Sequence, residues 1–237
     1  FLVRRNGFNL IDQVKVNGRS VLQGTPRDGP YLIDHEGATY RAGNDRETKV
    51  TVEEQGDLRV VIRAEGWYVK DGTDGKKLSY TLPTDKLCKF VTRIEAYAGK
   101  PYVRVLSTWI MTFDNFTVRL RDVGFSLPLE GCAKAEFGVE AGAPLAQDVP
   151  GNGVRLLQRL PDAFVVEDGA GEERTTGKRS AGWVTAASRS GLVTVGHRET
   201  WQRFPKEMEV LPDALRFHIW PAHGRVNPEV KLYPWAQ

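Results

Sequence analysis

The chain has 237 residues, 41% hydrophobic and 10% aromatic, enough apolar material for a sizeable buried core and too much for a disordered segment. Its 33 basic and 30 acidic residues leave a net charge of +3, with cations interleaved among Asp and Glu rather than gathered in a stripe, so nucleic acid is not an expected partner. No apolar run approaches the roughly 18 residues that cross a bilayer as a helix, so no membrane association is expected.

Strand signals with turn residues between them recur along the chain. IDQVKVNGRSVL carries Asn17-Gly18 between two β-rich runs, a hairpin signal. Between Tyr31 and Tyr40, Asp34 and Gly37 form a turn. Residues 49–53 alternate, and Gln55-Gly56-Asp57 turns the chain into LRVVIRAEGWYV. There Val60, Ile62 and Ala64 fall on one face, and Arg59, Val61, Arg63 and Glu65 on the other. Residues 71–77 are a polar loop. Two strands then meet around Gly99-Lys100-Pro101. In the second, Val103, Val105, Ser107, Trp109 and Met111 share one face, and Tyr102, Arg104, Leu106, Thr108 and Ile110 the other.

FTVRLRDVGFSLPL is a further strand with bulge-prone Gly124 and a stop at Pro128. Residues 138–153, rich in Gly, Ala and Pro, read as a long surface loop. Strands of the same character resume in VRLLQRL and AFVVED, so residues 1–237 read as a single continuous domain. Residues 168–179 read as a second polar loop, a solvated hairpin tip. After a turn at Pro212-Asp213, Leu215, Phe217 and Ile219 alternate with Arg216, His218 and Trp220. No segment holds a 3.6-residue period for three turns. The expected fold class is all-β: a large, mainly antiparallel, supersandwich-like β-sandwich.

Cys88 and Cys132 offer no CxxC or Cys/His ligand spacing, and no metal site is expected from spacing. A disulfide and two separate buried thiols both fit their strand-like surroundings. The chain opens at Phe1 with neither a start Met nor a signal peptide, and it reads as one domain of a longer protein.

The segment from Gly182 to Gly224, GWVTAASRSGLVTVGHRETWQRFPKEMEVLPDALRFHIWPAHG, holds three of the four histidines and three of the six tryptophans. Its order is Gly-Trp, a small strand, an aromatic/Arg/Phe-Pro-Lys run, and a strand ending in Trp-Pro. In this it resembles the exo-rhamnogalacturonan lyase family, also called YetA-like. AYAGKPYVRVLSTWI, VRLRDVGFSLPL and FNLIDQVKVNGRSVL look like upstream stretches of the same family. The resemblance implies a modular protein with a small N-terminal barrel, a central β-sandwich and a C-terminal α/α-toroid. This chain is similar to the central sandwich, so further domains of the same protein are expected partners. The implied substrate is an acidic plant polysaccharide of the rhamnogalacturonan or pectin type, and the expected location is secreted or periplasmic.

A uronate lyase removes a proton alpha to a carboxylate and expels the sugar at C4. That carboxylate must be neutralised by Arg, Lys, a hydrogen-bonded acid or a metal such as calcium. A base and an acid complete the set. Read as a strand, residues 193–203 place His197, Glu199, Trp201 and Arg203 in a row; the next strand carries Arg216, His218 and Trp220. Pairing with matching faces brings the two rows together. The expected catalytic residues are His197 or His218 as base and Arg203, or alternatively Arg198, as neutraliser. Arg198, Trp201, Trp220, His223 and Arg225 are expected to bind substrate. Trp67, Trp109 and Trp183 read as core. Asp122 could pair with Arg119 or Arg121 or bind a metal, and the ion pair is the expected state because no acidic cluster surrounds it in the sequence. Glu207 and Glu209 share a face of one strand, but no opposed carboxylate pair of a glycosidase is identifiable. No GxSxG, phosphate loop or HExxH is present.

Overall fold

The computed structural model describes residues 1–79, 84–140 and 142–223. Among them, eighteen strands and one short 3-10 turn are formed, with no α-helix. The all-β reading holds, and the sheets are antiparallel and arranged as a sandwich. The chain divides into two compact units: residues 2–12 with 25–120, and residues 1, 13–24 and 121 onward.

β1 (Gln13–Val16) and β2 (Arg19–Gln23) form the hairpin expected around Asn17-Gly18. Both turn residues have positive φ, as a tight two-residue turn requires. In the other unit, β3 (Gly29–Asp34) and β4 (Thr39–Arg41) lead to β5 (Lys49–Gln55), β6 (Arg59–Lys70), β7 (Lys86–Tyr97) and β8 (Val103–Ile110). Their order is β3-β4-β6-β7-β8, and β5 pairs with β6. Ile62 lies opposite Ile94 and Ala64 opposite Thr92; Ala64 is buried, but so is Val61 from the other alternating set, so burial along β6 does not follow the alternation. Phe90 stacks on Phe8 and meets Tyr68 edge-on, beside fully buried Leu32, Tyr40 and Leu87. Along β8 burial alternates residue by residue, with Arg104, Leu106, Thr108 and Ile110 outward.

The second unit holds β9 (Leu120–Pro128), β10 (Lys134–Phe137), β11 (Leu145–Asp148), β12 (Val154–Leu160), β13 (Ala163–Asp168), β14 (Glu173–Gly177), β15 (Trp183–Ser188), β16 (Gly191–Gly196), β17 (Lys206–Leu211) and β18 (Ala214–Trp220). One sheet runs β14-β13-β12-β17-β18-β9 and the other β11-β10-β15-β16. Leu156, Val166, Met208 and Phe217 from the first sheet and Ala135, Phe137, Val184 and Ala186 from the second are buried, which is the apolar interior of a sandwich.

Two loop expectations are corrected. β11 lies inside 138–153, paired with β10, and β14 lies inside 168–179, paired with β13. Both are edge strands of mostly polar or small residues, so they lack the apolar alternation that marks a half-buried strand. Cys88 and Cys132 are both buried free thiols. Burial pushes the Cys88 thiol up to about 12, so it stays protonated at neutral pH.

Candidate functional site

The face of the six-stranded sheet opposite the apolar interior is charged, and its register explains why. Glu167 of β13 lies opposite Arg155 of β12, Arg155 opposite Glu209 of β17, and Glu209 opposite Arg216 of β18. In the adjacent row Leu157, Glu207 and His218 follow one another across β12, β17 and β18, and Gly124 of β9 faces His218. Asp122 stands two residues before Gly124 and so projects from the same face. The two-residue turn at Pro212-Asp213 sets this alignment, since Leu211 pairs with Ala214 and every later pair follows.

These charges are out of water. Glu207 is 0% exposed, His218 3% and Asp122 5%. His218 Nδ1 donates to the Asp122 carboxylate, at 3.0 and 3.1 Å from its two oxygens. His218 Nε2 sits 3.5 Å from Glu207 Oε1 and 3.7 Å from Glu209 Oε2. His223, exposed beyond the end of β18, donates through Nδ1 to both Glu207 oxygens at 3.0 and 3.1 Å. Arg216 Nη1 reaches Glu209 Oε2 at 3.4 Å, and Arg155 is bonded to Glu167 at 2.8 Å.

Burial alone would drive the His218 imidazole down. The hydrogen bond to Asp122, the close approach of Glu209 and the charges of Glu207 and Asp122 outweigh it, and the group is raised to about 10. Burial likewise pushes the Glu209 carboxyl up, but the nearby His218 imidazole and the Arg216 guanidinium leave it below its ordinary value. The hydrogen bond to Glu207 raises His223 against its own burial. A buried imidazole already carrying its proton at pH 7 is a poor general base, so the base role expected of His218 is not supported. The cluster is suited to holding positive charge. Three donors, one each from Glu207, Glu209 and His218, lie within 4.8 Å of one another. An imidazole in the set fits a zinc-like ion better than calcium, which takes oxygen ligands.

The expected convergence with His197 does not occur. β16 ends at Gly196, and residues 198–203 form a turn rather than a continuing strand. Glu199 takes a positive φ of 63°, and the Arg203 N–H bonds back to the Glu199 carbonyl at 3.0 Å. Gly182, at a φ of +75°, lies beneath this turn, where a Cβ would meet Thr200 Oγ1 at 2.2 Å. The His197 ring stacks on Phe217 at 5.1 Å. Phe217 and His218 are successive residues of one strand, so the two histidines belong to opposite faces of the sheet. Burial, together with the charges of Lys206 and Arg203, pulls His197 down to about 4.

The remaining expected residues are dispersed. Arg203 pairs with Glu199 at 2.8 Å, and Arg198 is exposed, 3.9 Å from the same Glu199. Trp220 is half-buried at the end of β18, beyond a bulge opposite Val123. Arg225 lies outside the described residues. Asp122 takes His218 as its partner in place of the expected neighbouring Arg.

Trp201 is linked to an open hollow through Arg179. The Arg179 guanidinium lies over its ring, 4.1 Å from the centroid. Arg179 also lines a hollow of about 590 Å³ with Lys178, Glu140 and Asp162. Glu140 Oε1 accepts the backbone N–H groups of Lys178 and Arg179. Beneath, fully buried Gln158 accepts from Ser180 N and Oγ at 2.9 and 2.8 Å and donates to the carbonyls of Leu160 and Lys178. The loop bearing the cations is thus tied to β12. Arg179 falls in the segment that reads from sequence as a solvated hairpin tip; its local signal is the basic run GKR ahead of the Gly-Trp strand start.

The family model of the PcRGLX-like protein central beta sandwich domain matches residues 1–133. The match includes FNLIDQVKVNGRSVL, AYAGKPYVRVLSTWI and VRLRDVGFSLPL; the segment from Gly182 to Gly224 lies beyond it. No curated protein and no solved structure matches the chain. With more than half of its residues matched, the chain belongs to the PcRGLX-like family of central β-sandwich domains, related to rhamnogalacturonan lyases.

Proposed function

We propose that this chain is the β-sandwich part of a carbohydrate-active lyase and that it binds an acidic, rhamnogalacturonan-like polysaccharide at the hollow lined by Arg179. The observation that carries the reading is the Arg179 guanidinium, which is seated on the Trp201 ring and lines that hollow together with Lys178. Two cations meet the carboxylates of a uronate, and the carboxylates of Glu140 and Asp162 accept sugar hydroxyls. Stacking on the indole restricts the guanidinium, so less freedom is lost when a glycan carboxylate binds.

In this reading the sandwich holds the glycan while the β-elimination is completed by groups from further domains of the protein. The histidines favour that division of labour: His218 is sealed beside Asp122 and Glu207, and His197 is packed against Phe217 on the other face. A catalytic role for His197 or Arg203 is the second reading, favoured by the low proton affinity of His197, which leaves its imidazole unprotonated at neutral pH. A secreted or periplasmic location and a pectin-type substrate accompany the first reading.

Rhamnogalacturonan oligosaccharides titrated into the chain, with ultraviolet absorbance of the unsaturated product followed in parallel, test the reading. Binding that is lost in Arg179→Ala and Trp201→Ala supports it. Turnover abolished by His197→Ala supports the second reading. Absence of both binding and turnover refutes both.

A further inference from the structure

We propose that Glu207, Glu209 and His218 form a site for one divalent ion of the zinc class, with Asp122 fixing the orientation of the imidazole. The site is independent of whether the hollow lined by Arg179 binds a glycan, because it lies among the buried charges of β9, β17 and β18.

Geometry is the first argument. His218 Nε2 is 3.5 Å from Glu207 Oε1 and 3.7 Å from Glu209 Oε2. Both separations exceed the roughly 2.7–3.2 Å of a good N–H···O bond. They match the spacing of about 3.4 Å between two ligands of a tetrahedral ion with bonds of about 2.1 Å. All three donors lie within 4.8 Å of one another and all three residues are buried.

The surroundings are the second argument. Metal-bound histidines usually give their other ring N–H to a carboxylate, and ligating carboxylates are themselves hydrogen-bonded. Here Asp122 accepts from His218 Nδ1 at 3.0 Å, His223 donates to Glu207 at 3.0 Å, and Arg216 reaches Glu209 at 3.4 Å. Each of the three donors therefore has an outer partner that fixes its direction.

Charge is the third argument. Among the described residues, and with neutral imidazoles, Asp122, Glu207 and Glu209 are three buried carboxylates facing the guanidinium of Arg216, since Arg155 is bound to Glu167. The excess is two negative charges, which one divalent cation balances. Protons on His218 and His223 would balance it without a metal, and the two states predict different measurements.

The chain is treated with chelator, exchanged into metal-free buffer and titrated with zinc chloride, with bound zinc measured by elemental mass spectrometry. One zinc per folded chain is expected. Glu209→Gln should weaken binding at least tenfold, and Asp122→Asn by roughly ten- to hundredfold with the stoichiometry kept at one. Glu54→Gln, an exposed pair partner of Arg59 in the other unit, should leave binding unchanged. If the buried variants do not fold, cobalt(II) added to the native chain decides. A single hyperfine-shifted, slowly exchanging imidazole N–H, the Nδ1 proton held by Asp122, is expected. A folded chain that takes up no stoichiometric zinc, folded Glu209→Gln and Asp122→Asn variants with unchanged affinity, or a cobalt spectrum without that proton would each overturn the proposal.

Discussion

The imidazole of His218 in β18 gives its Nδ1 proton to Asp122, 96 residues earlier in β9, at 3.0 Å. Both side chains are buried, and the pair joins two neighbouring strands on the charged face of the sheet. Removing one partner strands the other as an unpaired polar group in a poorly solvated place. Asp122→Asn is therefore expected to destabilise the chain by about 3–5 kcal/mol, the usual cost of breaking a buried pair. Urea unfolding of the single variants and of the Asp122→Asn, His218→Gln double variant measures the coupling. A double variant that loses as much as the two singles together would mean that the residues act independently.

The His197 imidazole gives the opposite sign of pH dependence from an ion-paired histidine. Its proton affinity is depressed from 6.5 to about 4 by burial and by Lys206 and Arg203, with Glu199 opposing. Between about pH 6.5 and 4 the unfolded chain binds a proton that the folded chain refuses, so stability falls as pH falls through that window. Stability should be compared at pH 7 and pH 5 in the parent and in His197→Gln. The drop is expected to be smaller in the variant; an equal drop in both would show that His197 stays unprotonated for no energetic reason of its own.

Gln158 ties the cationic loop to the sheet through three hydrogen bonds, to Ser180 N, Ser180 Oγ and the Lys178 carbonyl, while itself fully buried. Gln158→Leu leaves the Ser180 N–H and the Lys178 carbonyl without that partner, and each buried group left unmet costs about 1–3 kcal/mol. Thermal unfolding should show the loss. Glycan binding should weaken as well, although Gln158 is no part of the hollow. A destabilised variant with unchanged glycan affinity would show that the loop holds its place without it.

Interior and surface apolar residues of the same sandwich should separate cleanly. Met208 is fully buried between the sheets, and Leu192 is 73% exposed on β16. Met208→Ala is expected to cost about 2–5 kcal/mol, whereas Leu192→Ala should stay within about 0.5 kcal/mol. Chemical denaturation of both variants checks the contrast. Equal losses would mean that Leu192 is covered in solution.

Strands with an apolar face were legible from the sequence because alternation is a local property. Arg104, Leu106, Thr108 and Ile110 share the exposed face of β8, as period two put them, whereas β6 buries Val61 and Ala64, one from each alternating set. β11 and β14 were not, because edge strands need no apolar face and reveal themselves only by pairing. The candidate site was legible in part. Glu207 and Glu209 do share a face, and Arg216 and His218 do share one, but the meaning of those faces depends on which strands lie beside them. Asp122 could not be matched to His218 across 96 residues by any local signal. The row through His197, Trp201 and Arg203 failed for a different reason. A backbone reversal at Glu199, a residue type seldom found at positive φ, ended the strand early.

The central claim is that Arg179, set on Trp201, recognises the carboxylates of an acidic glycan. Calorimetric titration of the chain with a rhamnogalacturonan oligosaccharide and with its carboxyl-reduced counterpart tests it most directly. Binding of the charged sugar, loss of at least tenfold in affinity on carboxyl reduction, and a matching loss in Arg179→Ala are the predicted results. Equal affinity for the two sugars, or undiminished binding by Arg179→Ala, would contradict it.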